Sequence, residues 1–95
     1  MRLSDDQIDF LKGEILAIVP DAIIYLFGSR ADNDKKGGDI DIMVLSANRL
    51  TWKDKATIRW SYFGRFGEQR LDIVSFDFND ETPFKEIVLA QGIRL

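Results

Sequence analysis

The chain has 95 residues, a length that supports one hydrophobic core and buries only about 60–65% of the surface its unfolded form exposes. Its 45% hydrophobic and 31% charged residues suit a folded domain. Thirteen basic against sixteen acidic side chains, a net charge of −3, leave no positive surplus for general binding to nucleic-acid backbones or anionic membranes. Cysteine and histidine are both absent, which excludes disulfides, thiolate nucleophiles, imidazole proton transfer and the usual zinc sites. Catalysis would have to rest on carboxylates, hydroxyls, Lys, Arg, Tyr, or a hard cation such as Mg²⁺ held by oxygen.

In chain order, Ser4 and Gln7 have the spacing of a capping box, and Ile8, Leu11, Ile15 and Ile18 then recur every three or four residues, predicting a helix that Pro20 stops. Residues 22–27 (Ala-Ile-Ile-Tyr-Leu-Phe) form an apolar run without polar alternation, a strand covered on both faces. Gly28-Ser29-Arg30-Ala31 turns the chain into a polar loop over residues 32–38. Asp39-Ile40-Asp41-Ile42-Met43-Val44-Leu45 reads as a second strand. Thr51 with Asp54 caps a second helix expected through about Phe63, with Trp52, Ala56, Trp60 and Phe63 along one side and Gly64 and Gly67 ending it. Leu71 to Phe76 is a third strand. Thr82-Pro83 opens a third helix, carried by Phe84, Ile87, Val88 and Gln91 to Gly92.

The expected fold is therefore α+β: one domain over residues 1–95, order α-β-β-α-β-α, a small mixed sheet of three or more strands with helices mainly on one face. No stretch approaches the roughly 20 apolar residues of a membrane span. The amino terminus turns acidic at Asp5-Asp6 and lacks a signal-peptide core, so cytoplasmic residence is expected.

Asp39 and Asp41 are two apart, so on a strand both carboxylates project from one face while Ile40 and Ile42 enter the core on the other. Anions this close repel unless a cation lies between them or one stays protonated; a divalent cation resolves this, as in phosphoryl-transfer sites bridged by carboxylates. Solvated acids at an exposed strand start would give the same pattern. Asp72, between Leu71 and Ile73, adds a third carboxylate if the third strand pairs with the second, and there it could bind metal and accept a proton from an attacking hydroxyl. Gly28 permits close approach of backbone to ligand, Ser29 adds a hydroxyl donor and Arg30 a fixed positive fork. A plain strand-to-helix turn with a capping serine is the other explanation.

Taken together, Phe27-Gly28-Ser29-Arg30-Ala31, the spaced Asp39-Ile40-Asp41 and the later Leu71-Asp72-Ile73-Val74 resemble the signature of the polymerase-β-type nucleotidyltransferase superfamily, and the short length points to its minimal (MNT) branch. The resemblance implies that Gly28, Ser29 and Arg30 bind nucleotide phosphate, that Asp39 and Asp41 hold Mg²⁺, and that Asp72 completes the acidic site. It implies transfer of AMP from ATP to a hydroxyl acceptor. It further implies an antitoxin role, with a tyrosine of an all-helical HEPN-type partner encoded nearby as acceptor, in a hetero-oligomer. Larger relatives hold the acceptor with extra domains, so here the acceptor is expected on another polypeptide. Two other functions stay open: a binding module that neutralises its partner by contact alone, and the catalytic subunit of a two-chain small-molecule nucleotidyltransferase of aminoglycoside type.

The remaining features have ordinary explanations. Trp52, Trp60, Tyr62, Phe63 and Phe66 are expected to serve core or interface, and the basic stretch of Lys53, Lys55, Arg59, Arg65 and Arg70 to form a solvated face.

Overall fold

A computed structural model describes residues 3–31 and 38–95. The polar loop expected from residue 32 therefore lies, through residue 37, outside the described residues. Helix α1 spans Asp5–Ile18, strand β1 Ile23–Phe27, a 3₁₀ turn Gly28–Ala31, β2 Ile40–Ser46, α2 Trp52–Phe66, β3 Leu71–Asp77, α3 Pro83–Gln91 and β4 Ile93–Arg94. Each helix start uses the anticipated chemistry. Ser4 Oγ accepts from Gln7 N–H while Gln7 Oε1 accepts from Ser4 N–H. Thr51 and Asp54 make the same reciprocal pair, and Thr82 Oγ1 accepts from Lys85 N–H ahead of Pro83.

The sheet order is β3-β2-β1-β4. β1 is antiparallel to β2 and β4, whereas β2 and β3 run parallel. A parallel pair cannot be closed by a hairpin; α2 supplies the crossover. The sheet is mixed, as the element pattern implied.

Alternation along the strands sorts the two faces. Ile24, Leu26, Ile40, Ile42, Val44, Leu71 and Ile73 point to one side, where they meet Leu11 and Ile15 of α1 and Ile58 and Tyr62 of α2 in the main core. Tyr62 is buried whole and its hydroxyl accepts from Gln7 Nε2 at 2.8 Å, so its polar atom is satisfied. On the other face Met43 and Leu45 pack with Val88 of α3, flanked by Ile23, Tyr25, Phe27, Val74 and Phe76. Phe84 of α3 sets its ring edge-on to Phe27, centroids 5.3 Å apart. Two helices thus cover one face and α3 part of the other, so β1 is covered on both sides, as its apolar run required.

Four details depart from the sequence pattern. α2 runs one turn past Phe63, through Gly64, because Phe63 and Phe66 still reach the core; it stops at Gly67, whose φ of +89° no helix continues. Its buried side is Ile58 and Tyr62, not the line through Trp52, Ala56 and Trp60, which faces solvent. In α3 the inward residues are Lys85 and Val88, while Ile87 is exposed. The burial of Lys85 is offset by Nζ donating to the carbonyls of Phe78 (2.8 Å) and Asp80 (3.0 Å), tying the β3–α3 loop to the helix. Strand β4 has only two residues, too few for any periodicity to announce it.

Leu11 has no exposed surface. Leu11→Ala should lower unfolding free energy by about 2–5 kcal/mol, seen in denaturant titration and as a fall in thermal midpoint of at least about 10 °C for a domain of this size.

Candidate active site

The pairing that builds the site is Asp41 opposite Asp72 in the parallel β2/β3 register, with Phe27 opposite Asp41 on the other side. Because Leu71 and Ile73 are buried in the main core, Asp72 must point to the far face, the face Asp41 also takes between Ile40 and Ile42. Neighbouring strands lie about 4.8 Å apart, so the two carboxylates stand side by side. Asp39 lies one residue before β2, where Ile40 N–H donates to Arg70 O at 3.0 Å. The three acids anticipated from sequence are thus gathered on one face. All three are partly exposed, Asp39 and Asp72 over nearly half of their side chains.

Gly28 forms the wall beside Asp41. It leaves β1 with φ +73°, and a Cβ there would collide with Asp41 Oδ2 and lie 3.2 Å from Cγ. Glycine is needed both for the left-handed backbone and for the space the carboxylate occupies. Ser29 and Arg30 follow in the 3₁₀ turn, half-buried. Arg30 Nη2 donates to Gly38 O (3.0 Å) and Gln69 Oε1 (3.3 Å), and Gln69 Nε2 also donates to Gly38 O. Arg30 therefore braces the turn against the segments entering β2 and β3.

Arg70 carries a role that a sequence reading missed. Its Nε lies 3.8 Å from Asp39 Oδ2 and 3.4 Å from Asp72 Oδ2, making it, among the described residues, the cation nearest to the cluster. In sequence it belongs to a basic stretch and sits two residues before Asp72; only the strand register places it beside Asp39 as well. The guanidinium is largely exposed, so each contact is weak in water.

Asp41 bears the electrostatic cost. Burial, then the negative charges of Asp72 and Asp39, and a hydrogen bond shared with Asp72 push its pKa above the usual 3.8, with Arg70 pulling it back. Among the described residues no three His, Cys, Asp or Glu side chains stand in a ready-made metal-ligand arrangement. What the arrangement offers is a concentrated set of hard oxygen donors beside a backbone turn.

A carboxyl whose pKa rises on folding binds its proton more tightly in the native state, so native stability falls as pH climbs from 3.8 through the raised value. Asp41→Asn should therefore raise the thermal midpoint at pH 7 and lose that advantage once pH drops below the carboxylate range. Asp72→Asn should bring the Asp41 pKa down toward the usual value, read by NMR titration of the Asp41 carboxyl carbon.

No curated protein matches the chain. The crystal structure of a mutant MntA–HpeT toxin–antitoxin is 26% identical with a TM-score of 0.68, the match covering 98% of this chain and 71% of that one. A toxin–antitoxin structure with AMP-PNP is 24% identical (TM-score 0.70; 90% and 69% covered). A tri-AMPylated HEPN toxin of Shewanella oneidensis in complex with its MNT antitoxin is likewise 24% identical (TM-score 0.58; 90% and 69% covered). The structural neighbours are MntA-type antitoxins of HEPN–MNT pairs. Residues 18–95 match the family described as polymerase beta, nucleotidyltransferase, and the chain belongs to that nucleotidyltransferase family.

Proposed function

We propose that this chain is a Mg²⁺-dependent nucleotidyltransferase that moves AMP from ATP onto a hydroxyl acceptor, a tyrosine of a HEPN-type helical partner, and so acts as the antitoxin of a pair. The observation that carries the reading is the in-register placement of Asp41 beside Asp72, with the Gly28 backbone closed against Asp41. The neighbours bound to AMP-PNP and to an AMPylated toxin support the nucleotide and the partner. ATP as co-substrate makes the cytoplasm the expected compartment.

The donor set fits the metal. Three carboxylates on one solvent-open face, without nitrogen or sulfur ligands, suit a hard divalent cation, which would also offset the upward push on Asp41 that burial, then Asp72 and Asp39, produce. Asp39, Asp41 and Asp72 would hold Mg²⁺. When bound it supplies positive charge to offset that of the triphosphate. The acceptor hydroxyl oxygen bonds to the α-phosphorus, the bond from that phosphorus to its bridging oxygen breaks, and pyrophosphate leaves. Asp72, open to solvent at the edge of the cluster, takes the hydroxyl proton. Gly28 and Ser29 cradle phosphate oxygens with backbone N–H and hydroxyl donors, and Arg30 keeps their turn in place.

The test is intact-mass spectrometry of the chain mixed with ATP, Mg²⁺ and the helical protein encoded next to it. The partner should gain AMP units, and Asp39→Asn or Asp41→Asn should abolish the gain, a loss of at least about 100-fold in rate. Tight association without any mass gain, unaffected by either substitution, would replace the enzyme with a contact-only antitoxin. AMP found on an aminoglycoside and not on the protein would identify the two-chain small-molecule enzyme.

A further inference from the structure

Arg70 is fixed by its main chain and loose at its tip. Its carbonyl accepts from Ile40 N–H (3.0 Å) and from Gln69 Nε2 (3.3 Å), so the backbone is tied where β2 and β3 begin. The side chain is 72% exposed, and Nε stands 3.4 Å from Asp72 Oδ2 and 3.8 Å from Asp39 Oδ2. An arginine fully engaged with a carboxylate closes to about 2.7–2.9 Å, usually through two parallel bonds. Here the guanidinium rests between two acids at ion-pair distance, clamped to neither.

The flanks of the cluster are unlike. Gly28 closes it on the β1 side, against Asp41. Arg70 stands on the β3 side, beside Asp72 and Asp39. Arg30, by contrast, directs Nη2 to Gly38 O and Gln69 Oε1. A monovalent ion that replaced the Arg70 guanidinium would add no charge, whereas a divalent ion adds one unit to a cluster that carries an excess of negative charge.

On the reading that Asp39, Asp41 and Asp72 hold Mg²⁺, on which this inference rests, we propose that Arg70 is a displaceable counter-ion. It is a positioning residue that shares the oxygens of Asp39 and Asp72 until a divalent cation takes them, and it thereby sets the affinity of the site for that cation. While in place it steadies two acids that repel, and it covers the oxygen of Asp72 nearest to it. When it leaves, that carboxylate is free both to bind metal and to take the hydroxyl proton.

The contacts have the strength this requires. Release of an exposed side chain uncovers no apolar surface and restores its rotamer freedom. What is lost is two solvent-screened ion pairs, together worth about a three- to fivefold factor in an equilibrium constant. A buried, bidentate clamp would instead keep the metal out.

The probe is Mn²⁺ alone, without nucleotide, followed through the loss of its free-ion paramagnetic resonance signal in the presence of the whole chain. Arg70→Gln should tighten Mn²⁺ binding about three- to fivefold at low ionic strength. The difference should shrink at about 0.5 M salt, where the screening length is roughly 4 Å. Arg70→Lys keeps the charge and should stay within about twofold of the native chain. Far-UV circular dichroism should be unchanged in both variants, since the altered side chain is exposed. A given Mg²⁺ concentration should raise the thermal midpoint of Arg70→Gln by more than that of the native chain, as tighter binding to the folded state demands. Arg70→Gln with affinity equal to or below the native value, while Asp41→Asn abolishes binding, overturns the inference and leaves the magnesium reading standing. So does an Arg70→Lys chain that tightens as much as Arg70→Gln, because charge would then not be the cause. A native chain that takes up no Mn²⁺ at millimolar concentration overturns both.

Discussion

The parallel pairing of β2 with β3 is the constraint on which the rest of the molecule depends. Side chains alternate along a strand, so a slip of one residue would turn Asp72 into the core and put Leu71 and Ile73 in water. Burial of Leu71 and Ile73 against Ile40 and Ile42 makes that slip costly, at roughly 1.5–3 kcal/mol for each side chain exposed. The register that the apolar face enforces is the register that sets Asp41 beside Asp72. An electrostatic arrangement on one face is therefore held by hydrophobic burial on the other, and the acids need no mutual attraction to stay together.

Apart from a hydrogen bond shared by Asp41 and Asp72 they have none: the charges of Asp39, Asp41 and Asp72 repel, and burial adds to the strain on Asp41. The surroundings moderate it without removing it. Arg70 stands near Asp39 and Asp72 at distances where a largely exposed ion pair contributes little, and Gly28 yields the space the Asp41 carboxylate fills. A fold that keeps three like charges on a partly open face keeps them at a cost in stability, the compromise expected where chemistry and not packing selects the residues.

Helix α2 has two unlike faces with separate tasks. Inward, Ile58 and Tyr62 close the main core, and Arg59 Nε donates to Leu71 O at 2.8 Å, fastening the crossover to the start of β3. Outward, the indoles add nothing to the monomer's core. The same helix thus fastens β3 through one side and leaves its indoles exposed on the other, on the side of the sheet away from the acids.

Sequence by itself determined the helix starts, because capping is a local exchange of hydrogen bonds between residues three apart, and it determined the α+β class, because alternation and three-to-four spacing are local too. The candidate acids, Gly28 and Ser29 were legible from residue types and spacing. Tertiary structure alone decided what depends on residues distant in the chain. It set Arg70 against Asp39 and Asp72 through a strand register, and it turned Trp52 and Trp60 outward, since aromatic spacing marks a face of a helix without saying which face meets the core. It added β4, whose two residues are a strand only by virtue of Tyr25 and Leu26 beside them. It also buried Lys85, whose charge is tolerable only where the carbonyls of Phe78 and Asp80 converge on it. Periodicity is a property of neighbours along the chain; partnership across the fold is not.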